Sequence, residues 1–155
     1  QLLRDIPLTL HGDGSNTRNF LYVTDVAAAF DIIMHKGVPG HVYNIGGRNE
    51  IANIDVARTL LKIFGREKEE EKWLTFVPDR RFNDLRYTIN SNKLHELGWT
   101  EDISWEEGLR TTVDWYKKYN YRYGNIDAAL VAHPRMLNAK GDSADVLNLA
   151  VEPSE

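Results

Sequence analysis

Arginine side chains in two separate stretches are the groups in this sequence best suited to binding a ligand. Arg18 follows the turn sequence Gly12–Gly14, and Arg80 and Arg81 follow Pro78 in a polar loop. Because a guanidinium is planar and permanently charged, two arginines brought to one cleft could neutralise a diphosphate through charge-assisted hydrogen bonds. Taken one at a time, each arginine is better explained as a partner in a surface ion pair.

Two asparagines extend this candidate site. Asn44 lies in a predicted strand, and Asn83 follows Arg80 in the same polar loop. An amide offers both donors and acceptors, which a site needs to recognise a sugar hydroxyl or a base edge. Taken singly, each asparagine is better explained as a turn residue.

Motifs for catalysis are missing from the sequence. The stretch Gly12-x-Gly14 has Thr17 where a dinucleotide-binding fingerprint has its third glycine, so it predicts a turn and not a Rossmann loop. No tyrosine is followed four residues later by lysine, so no Tyr/Lys pair for hydride chemistry is evident. The five histidines show no tight metal-ligand spacing. We therefore predict no catalytic, cofactor-binding or metal-binding residue in this chain.

Composition excludes several classes of protein. The 155 residues carry a net charge of -4, which argues against nucleic-acid binding because such proteins present a basic face. Cysteine is absent, which excludes disulfides and zinc fingers. No apolar run approaches the ~20 residues of a membrane span. Gln1–Pro7 resembles the tail of a helix without a signal-peptide layout, so we expect a cytoplasmic protein cut from a longer chain.

Short strands alternating with helices predict a small α/β or α+β domain. The predicted strands cover residues 8–11, 20–23, 41–45 and 74–77, and residues 86–89 are predicted to be extended. The predicted helices begin at the N-cap Thr24, at Asn53 or Asp55, at the cap Ser91 and at Ser104, which also forms a capping box with Glu107. The charge run 66–72 predicts a solvated loop, and residues 138–155 predict a poorly ordered acidic tail.

Apolar residues at helical spacing predict which side of each helix faces the core. The predicted sides are Val26, Ala27, Phe30, Ile33 and Met34 in the first helix, Ile54, Ala57, Leu60, Leu61 and Phe64 in the second, and Leu109, Val113 and Tyr116 in the last.

Longer stretches of the sequence resemble a known family. Leu8–Ala27 resembles the start of the C-terminal half of extended short-chain dehydrogenases/reductases that act on nucleotide sugars, and His41–Gly46 resembles the next landmark of that superfamily. The loop Asp79–Tyr87, followed by Lys93–Trp99 and Trp105–Leu109, is more selective. It is similar to the nucleoside-diphosphate-glucose 4,6-dehydratases, which include dTDP-glucose enzymes and UDP-glucose enzymes of the rhamnose-synthase type.

With His133–Leu137, which is similar to the eukaryotic UDP-glucose branch, the resemblance covers about residues 1–137. It implies an α/β lobe that binds the nucleotide sugar, preceded in the parent enzyme by a Rossmann lobe that binds NAD. The implied reaction takes a hydride from C4 of the sugar, removes water across C5 and C6, and returns the hydride to C6. The parent is then a lyase, and the isolated chain, which lacks the catalytic groups, is expected to be inactive.

The resemblance also assigns residues to the nucleotide sugar. Thr9 and His11 are implied to line the nucleobase side, Arg18 and Arg80 to hold the diphosphate, and Asn44 and Asn83 to complete the nucleotide contacts. Two positions depart from the family pattern: Arg81 replaces a proline of the loop, and His11 stands where many relatives have tyrosine. Uridine and thymidine differ by one methyl group, so the sequence does not separate them.

Two alternatives stay open. The chain could be a stand-alone nucleotide-sugar-binding or regulatory module, or the lobe of a related decarboxylase or epimerase. The continuation Arg86-Tyr87 after Asp84 argues against the decarboxylases. The expected partners are a nucleoside-diphosphate sugar and the missing Rossmann lobe, with no nucleic acid and no membrane. A lobe without that partner exposes apolar surface, so we expect association with another chain or aggregation.

Overall fold

The computed structural model describes residues 1–48, 50–79 and 82–130, with the backbone alone at 128 and 129. Its strands are β1 (Leu8–His11), β2 (Thr17–Asn19), β3 (Glu50–Ala52) and β4 (Leu74–Val77). Its α-helices are α1 (Val23–Lys36), α2 (Asn53–Ile63), α3 (Glu70–Trp73), α4 (Asn92–His95), α5 (Trp105–Tyr119) and α6 (Asp127–Leu130). Short 3₁₀ turns cover Leu2–Arg4, Glu67–Glu69 and Asn120–Tyr123.

The strands of the described residues pair into two small sheets. β1 lies parallel to β4, with Leu8 opposite Leu74 and His11 opposite Val77. β2 lies antiparallel to β3, with Arg18 opposite Ile51. The predicted glycine turn joins β1 to β2, where Gly12 and Gly14 have φ angles of 62° and 76° that favour glycine. The turn therefore carries the chain from the first sheet to the second, in which Arg18 is the middle residue of β2.

The larger core cluster lies between α2 and the β1–β4 sheet. Its buried members are Leu2, Leu10, Ala57, Leu61, Trp73 and Leu74. Ile54, Leu60 and Phe64 pack against it, so the predicted core-facing side of α2 is confirmed. Strand β1 buries Leu10 while its neighbours are half-buried, which is the alternation expected of a strand with one covered face.

A second cluster joins α1 to α4 and the loop after it. Ala29, Leu94 and Trp99 are buried there. The indole N–H of Trp99 donates to the carbonyl of Asp25 over 2.9 Å, and the Asp25 carboxylate accepts from the N–H of Ile103 over 3.1 Å. The first turn of α1 is thus tied to the loop at residues 99–103.

The predicted strand at 20–23 and the predicted N-cap Thr24 are wrong. Helix α1 begins at Val23 with Tyr22 as its N-cap, and the strand before it is β2. The N–H groups of Asp25 and Val26 both donate to the Tyr22 carbonyl. Because Asp25 is also held by the loop at 99–103, tertiary contacts fix the helix start earlier than local propensity does.

The predicted core side of α1 is also wrong in part. Phe30 is 57% exposed and Met34 is 81% exposed, whereas Ala29 is fully buried. The core contacts α1 along Ala29, Ile32 and Ile33, which lie on another side of the helix. Val23, Phe30 and Met34 therefore form an exposed apolar stripe, called here the α1 stripe.

The predicted strand 41–45 forms no ladder in the described part of the chain, and residues 86–89, predicted to be extended, belong to no helix or strand there. Side chains hold residues 42 and 43 in place instead. The Lys93 ammonium donates to the carbonyl of Val42 over 3.0 Å, and the Tyr43 hydroxyl accepts from the N–H of Val38. Alternating apolar residues predict a strand only where a partner strand is available.

The charge run at 66–72 is not the predicted loop, because it forms a 3₁₀ turn and most of α3. Trp73 at the end of α3 is buried, and the guanidinium of Arg66 lies 3.8 Å from its ring centroid. The bidentate pair of Arg58 with Glu70 joins α2 to α3. The segment is helical because Trp73 at its end packs into the core, although its charged residues alone predict a solvent-exposed loop.

The capping box of α5 is confirmed on its serine side, since the N–H of Glu107 donates to the Ser104 hydroxyl over 3.3 Å. Val113 is buried as predicted, but Tyr116 is 44% exposed. Ser91 precedes α4 without capping it, because its buried hydroxyl donates to the carbonyl of Gly46. The lobe boundary at 137 and the tail 138–155 lie outside the described residues.

Candidate functional site

Arg18 is the middle residue of β2, and the segment 83–87 passes directly beside it. The N–H of Thr17 donates to the carbonyl of Leu85 over 2.8 Å, which fixes this segment against the strand. Arg18 Nη1 donates to the carbonyls of Thr17, over 2.6 Å, and Asp84, over 3.0 Å. Its Nη2 donates to the Asn83 side-chain oxygen over 3.0 Å. Two residues predicted for the site are therefore in direct contact.

Among the described residues, the groups in contact with the Arg18 guanidinium are uncharged. They are two carbonyls, one amide oxygen and the ring of Tyr87, whose centroid is 4.7 Å from the guanidinium carbon. No carboxylate oxygen of the described residues lies within 4.0 Å of an Arg18 side-chain nitrogen. The surface ion pair expected for an isolated arginine is therefore not observed at Arg18 within the described part of the chain.

Other described arginines show the contrast. Each of the following pairs with a carboxylate: Arg4 with Asp127, Arg58 with Glu70, Arg66 with Asp5 and Arg86 with Glu50. Such pairs are the common use of an arginine at a surface. Arg18 differs from them because its partners orient the side chain without neutralising it.

A second pairing holds the segment 84–88 to the β2–β3 sheet. The guanidinium of Arg86 hydrogen-bonds to the Glu50 carboxylate and lowers its pKa below the ordinary value of 4.5, and the Thr88 hydroxyl donates to the same carboxylate. Glu50 lies opposite Asn19 in the ladder. The segment beside Arg18 is therefore attached to the sheet in two ways. The Leu85 carbonyl bonds to the backbone of β2, and the side chains of Arg86 and Thr88 bond to Glu50 of β3.

Thr9 and His11 lie on β1. The hydroxyl of Thr9 accepts from the Gln1 side chain over 3.3 Å. His11 ends β1 opposite Val77, and its buried Nδ1 has no hydrogen-bond partner among the described residues. A Cβ built on Gly12 would lie 3.3 Å from the Asp79 side chain, so the end of β1 adjoins the start of the loop at 78–84. The two residues predicted for the base therefore lie on the strand that pairs with β4, and β4 leads to this loop.

Asn44 is exposed, and its side-chain N–H donates to the carbonyl of Asn90 over 3.4 Å. Asn44 thus contacts the C-terminal end of the segment 83–90, and Arg18 contacts its N-terminal end. Arg80 lies outside the described residues. The structure joins Arg18 to Asn83 and connects Asn44 to the same segment, and the roles of all six predicted residues toward a ligand stay predictions.

Sequence reasoning missed three residues that support Arg18. The Tyr87 hydroxyl donates to the Asp84 carboxylate, and the Asn16 side chain donates to the Asp84 carbonyl over 3.2 Å. Asn16 is 4% exposed, which is unusual for an amide unless its hydrogen bonds are made inside the protein. The only signal for Asp84 and Tyr87 was their place in the selective loop motif, and nothing in the sequence singled out Asn16.

The glycine turn does not fit a dinucleotide. The N–H groups of Gly12 and Gly14 donate to the carbonyls of Val77 and His11, and the Gly14 carbonyl accepts from Ile54. A Cβ on Gly14 would lie 3.0 Å from the Ile54 side chain, so this glycine permits close packing against the start of α2. The backbone groups that would hold a pyrophosphate are already used. Within the described residues no group of His, Asp and Glu is placed to hold a metal ion.

A comparison with protein families shows to which family the chain is related. The model of the family described as GDP-mannose 4,6 dehydratase matches residues 3–112, more than half of the chain. The chain belongs to this family. The predicted resemblance to the nucleotide-sugar dehydratases is therefore confirmed.

Individual relatives agree with the family. The chain is 50% identical over 135 residues to the trifunctional UDP-glucose 4,6-dehydratase/UDP-4-keto-6-deoxy-D-glucose 3,5-epimerase/UDP-4-keto-L-rhamnose-reductase of Arabidopsis thaliana. This match takes in 87% of the chain and 20% of the relative. The chain therefore spans about a fifth of the length of this curated relative.

Solved structures confirm the fold. The dTDP-glucose 4,6-dehydratase of Bacillus anthracis in complex with NAD is 40% identical with a TM-score of 0.69, over 77% of this chain and 37% of that one. The UDP-glucose 4-epimerase of Thermotoga maritima, solved with UDP-glucose, is 32% identical with a TM-score of 0.68, over 75% of this chain and 36% of that one. The chain has the mixed helix and strand fold of part of an extended short-chain dehydrogenase/reductase. Among the described residues, no helix is both long and apolar enough to cross a membrane.

Proposed function

We propose that this chain is the nucleotide-sugar-binding lobe of an NAD-dependent nucleoside-diphosphate-glucose 4,6-dehydratase acting on UDP-glucose or dTDP-glucose. The observation that carries the proposal is the 3.0 Å contact between Arg18 and Asn83. It joins the two sequence stretches to which the resemblance assigns the diphosphate and nucleotide contacts. The plant UDP-glucose 4,6-dehydratase and the bacterial dTDP-glucose 4,6-dehydratase support the 4,6-dehydratase activity and the pyrimidine nucleoside.

The geometry of Arg18 suits a diphosphate. A guanidinium has five N–H donors. The described bonds use both Nη1–H donors and one Nη2–H donor. In the proposed complex, Nε–H and the second Nη2–H bind phosphate oxygens, with Arg80 supplying a second charge. Thr9 and His11 line the base, while Asn44 and Asn83 complete the contacts to the nucleotide.

NAD and the catalytic groups belong, in this proposal, to an N-terminal lobe of the parent enzyme, which we place in the cytoplasm. The complex of the bacterial relative with NAD supports the cofactor. The α1 stripe supports a partner lobe, because Val23, Phe30 and Met34 expose 67%, 57% and 81% of their surface on one helix. Contiguous apolar surface of this kind marks an interface. The isolated chain then binds the nucleotide without turning it over.

The experiment is a calorimetric titration of the purified chain with UDP, dTDP and UMP. We expect UDP and dTDP to bind more tightly than UMP, and Arg18→Lys to weaken UDP binding about tenfold, because lysine keeps the charge and loses the fork. Arg58→Lys is the matched control, since Arg58 pairs with Glu70 on another surface. Absence of nucleoside-diphosphate binding to the wild-type chain contradicts the proposal. Formation of a 4-keto sugar by the chain alone contradicts the division of labour between the lobes.

An epimerase lobe is the second candidate, and the likeness to the UDP-glucose 4-epimerase favours it. Both candidates predict the same diphosphate contacts, so the titration does not separate them. The product made by the parent enzyme does: a dehydratase gives a 4-keto-6-deoxy sugar and an epimerase gives the C4 epimer. A stand-alone binding or regulatory module would bind nucleotide with no parent lobe at all.

A further inference from the structure

We propose that Asp84 and Tyr87 are positioning residues, which hold the Arg18 guanidinium in the orientation that grips the diphosphate. The inference rests on the proposed function and adds to it two residues to which no ligand contact is assigned. Neither side chain needs to touch the nucleotide, because both act through Arg18.

The first observation is that Asp84 and Tyr87 contact different parts of the same guanidinium. The carbonyl of Asp84 accepts from Nη1 over 3.0 Å. The ring of Tyr87 lies 4.7 Å from the guanidinium carbon, which is within the range of a cation–π contact. A hydrogen bond at one edge and a ring against the guanidinium together restrict the position of the fork.

The second observation is that the two residues are joined to each other. The Tyr87 hydroxyl donates to the Asp84 carboxylate, so the ring and the carbonyl that orient Arg18 belong to one closed turn. The Asp84 carbonyl also accepts from the buried Asn16 side chain over 3.2 Å. The carbonyl that accepts from Arg18 is therefore also bonded to a buried side chain of the lobe.

The third observation concerns charge. The Asp84 carboxylate accepts from the Tyr87 hydroxyl and makes no ion pair with Arg18 within the 4.0 Å limit. A carboxylate placed directly on the guanidinium would compete with the phosphate for the same donors. Holding Arg18 through a carbonyl and a ring orients it while leaving its charge for the ligand.

Orientation before binding has a measurable consequence. A free arginine side chain loses rotamer entropy when it is immobilised by a ligand, and a side chain already immobilised avoids that cost. Loosening the Asp84–Tyr87 turn should thus weaken diphosphate binding without removing any atom that contacts the phosphate. The substitutions leave the fold intact, because Tyr87 is 47% exposed and Asp84 is exposed.

The test uses Tyr87→Phe, which removes the hydroxyl and keeps the ring, and Asp84→Ala, which removes the side-chain acceptor and keeps the backbone carbonyl. We expect each variant to bind UDP roughly three- to tenfold more weakly, the range for losing one hydrogen bond of ordinary strength. The loss for UMP should be smaller, since it has one phosphate. Tyr121→Phe is the matched control, because Tyr121 is 70% exposed and its ring contact is with Tyr119.

A double-mutant cycle with Arg18→Lys separates positioning from a general structural role. Lysine has no planar fork to orient, so in the Arg18→Lys background the effect of Tyr87→Phe should vanish. Equal UDP affinity of wild type, Tyr87→Phe and Asp84→Ala overturns the inference and leaves the proposed function standing. Additive effects in the cycle also overturn it. A wild-type chain that binds no UDP contradicts the proposed function itself, and the inference fails with it.

Discussion

Replacing Asp25 with alanine should destabilise the fold markedly, although the residue lies in the first turn of a helix. Asp25 is 4% exposed, and its carboxylate accepts from the N–H of Ile103. Its carbonyl accepts from the indole of Trp99, so the same residue joins α1 to both ends of the loop at 99–103. Alanine keeps the carbonyl and removes the carboxylate, and the Ile103 N–H then loses its acceptor.

The expected size of the effect follows from two contributions. A buried N–H left without an acceptor costs about 1–3 kcal/mol. Losing a carboxylate from the first turn of a helix costs about 0.3–1 kcal/mol more, because the negative charge no longer faces the positive end of the helix dipole. Together these lower the free energy of unfolding by about 1.3–4 kcal/mol, a large share of the ~5–15 kcal/mol of an ordinary domain.

Urea unfolding followed by far-ultraviolet circular dichroism measures this change. Asp25→Asn should recover part of the loss, since its amide oxygen can still accept from Ile103. Asp31→Ala is the control on the same helix: its side chain is 73% exposed, so its effect should stay within about 0.5 kcal/mol. If Asp25→Ala were as stable as Asp31→Ala, the hydrogen bond to the loop would not carry the stability assigned to it.

Three further predictions concern the packing and charge of the lobe. Gly46→Ala should destabilise by about 1–3 kcal/mol, because its Cβ would lie 2.6 Å from Ile89 Cγ2; an unchanged urea midpoint would contradict this close approach. Leu61→Ala should cost about 2–5 kcal/mol with an unchanged slope of unfolding free energy against urea concentration, since Leu61 is fully buried. Arg58 lowers the pKa of Glu70 below its ordinary 4.5, so the pair stabilises the fold above that pH and loses its effect as pH falls through the lowered pKa. The stability difference between wild type and Arg58→Ala should therefore be present at pH 7 and shrink below pH 4.5; a difference constant across this range would argue against the pairing.

The family was accessible from the sequence because its motifs are local stretches with selective residues. The loop Asp79–Tyr87 and the stretch Leu8–Ala27 indicated a nucleotide-sugar dehydratase, and the match of the family model over residues 3–112 confirmed it. The turn at Gly12–Gly14 was predicted for the same reason, since its φ angles are a property of the glycines themselves.

Elements with complete local signals were predicted correctly. Helix α2 has apolar residues at helical spacing and a stop at Gly65, whose φ is 68°, and α5 has its capping serine. By contrast, Phe20–Val23 has the composition of a strand but leads into a helix. The deciding contacts there come from residues 99–103, which the local pattern does not contain.

The sequence by itself determined the turn, the strands β1 and β4, the α2 and α5 patterns and the family, because each depends on residues close together in the chain. Only the tertiary structure decided which side of α1 is covered and what surrounds Arg18. Its partners Asn83, Asp84 and Tyr87 come from a distant segment, brought beside β2 by the hydrogen bond from Thr17. The sequence shows the same residue, arginine, whether its guanidinium lies among neutral groups or in an ion pair. They differ only in which neighbours the fold supplies, and at Arg18 the described neighbours are two carbonyls, an amide oxygen and a ring.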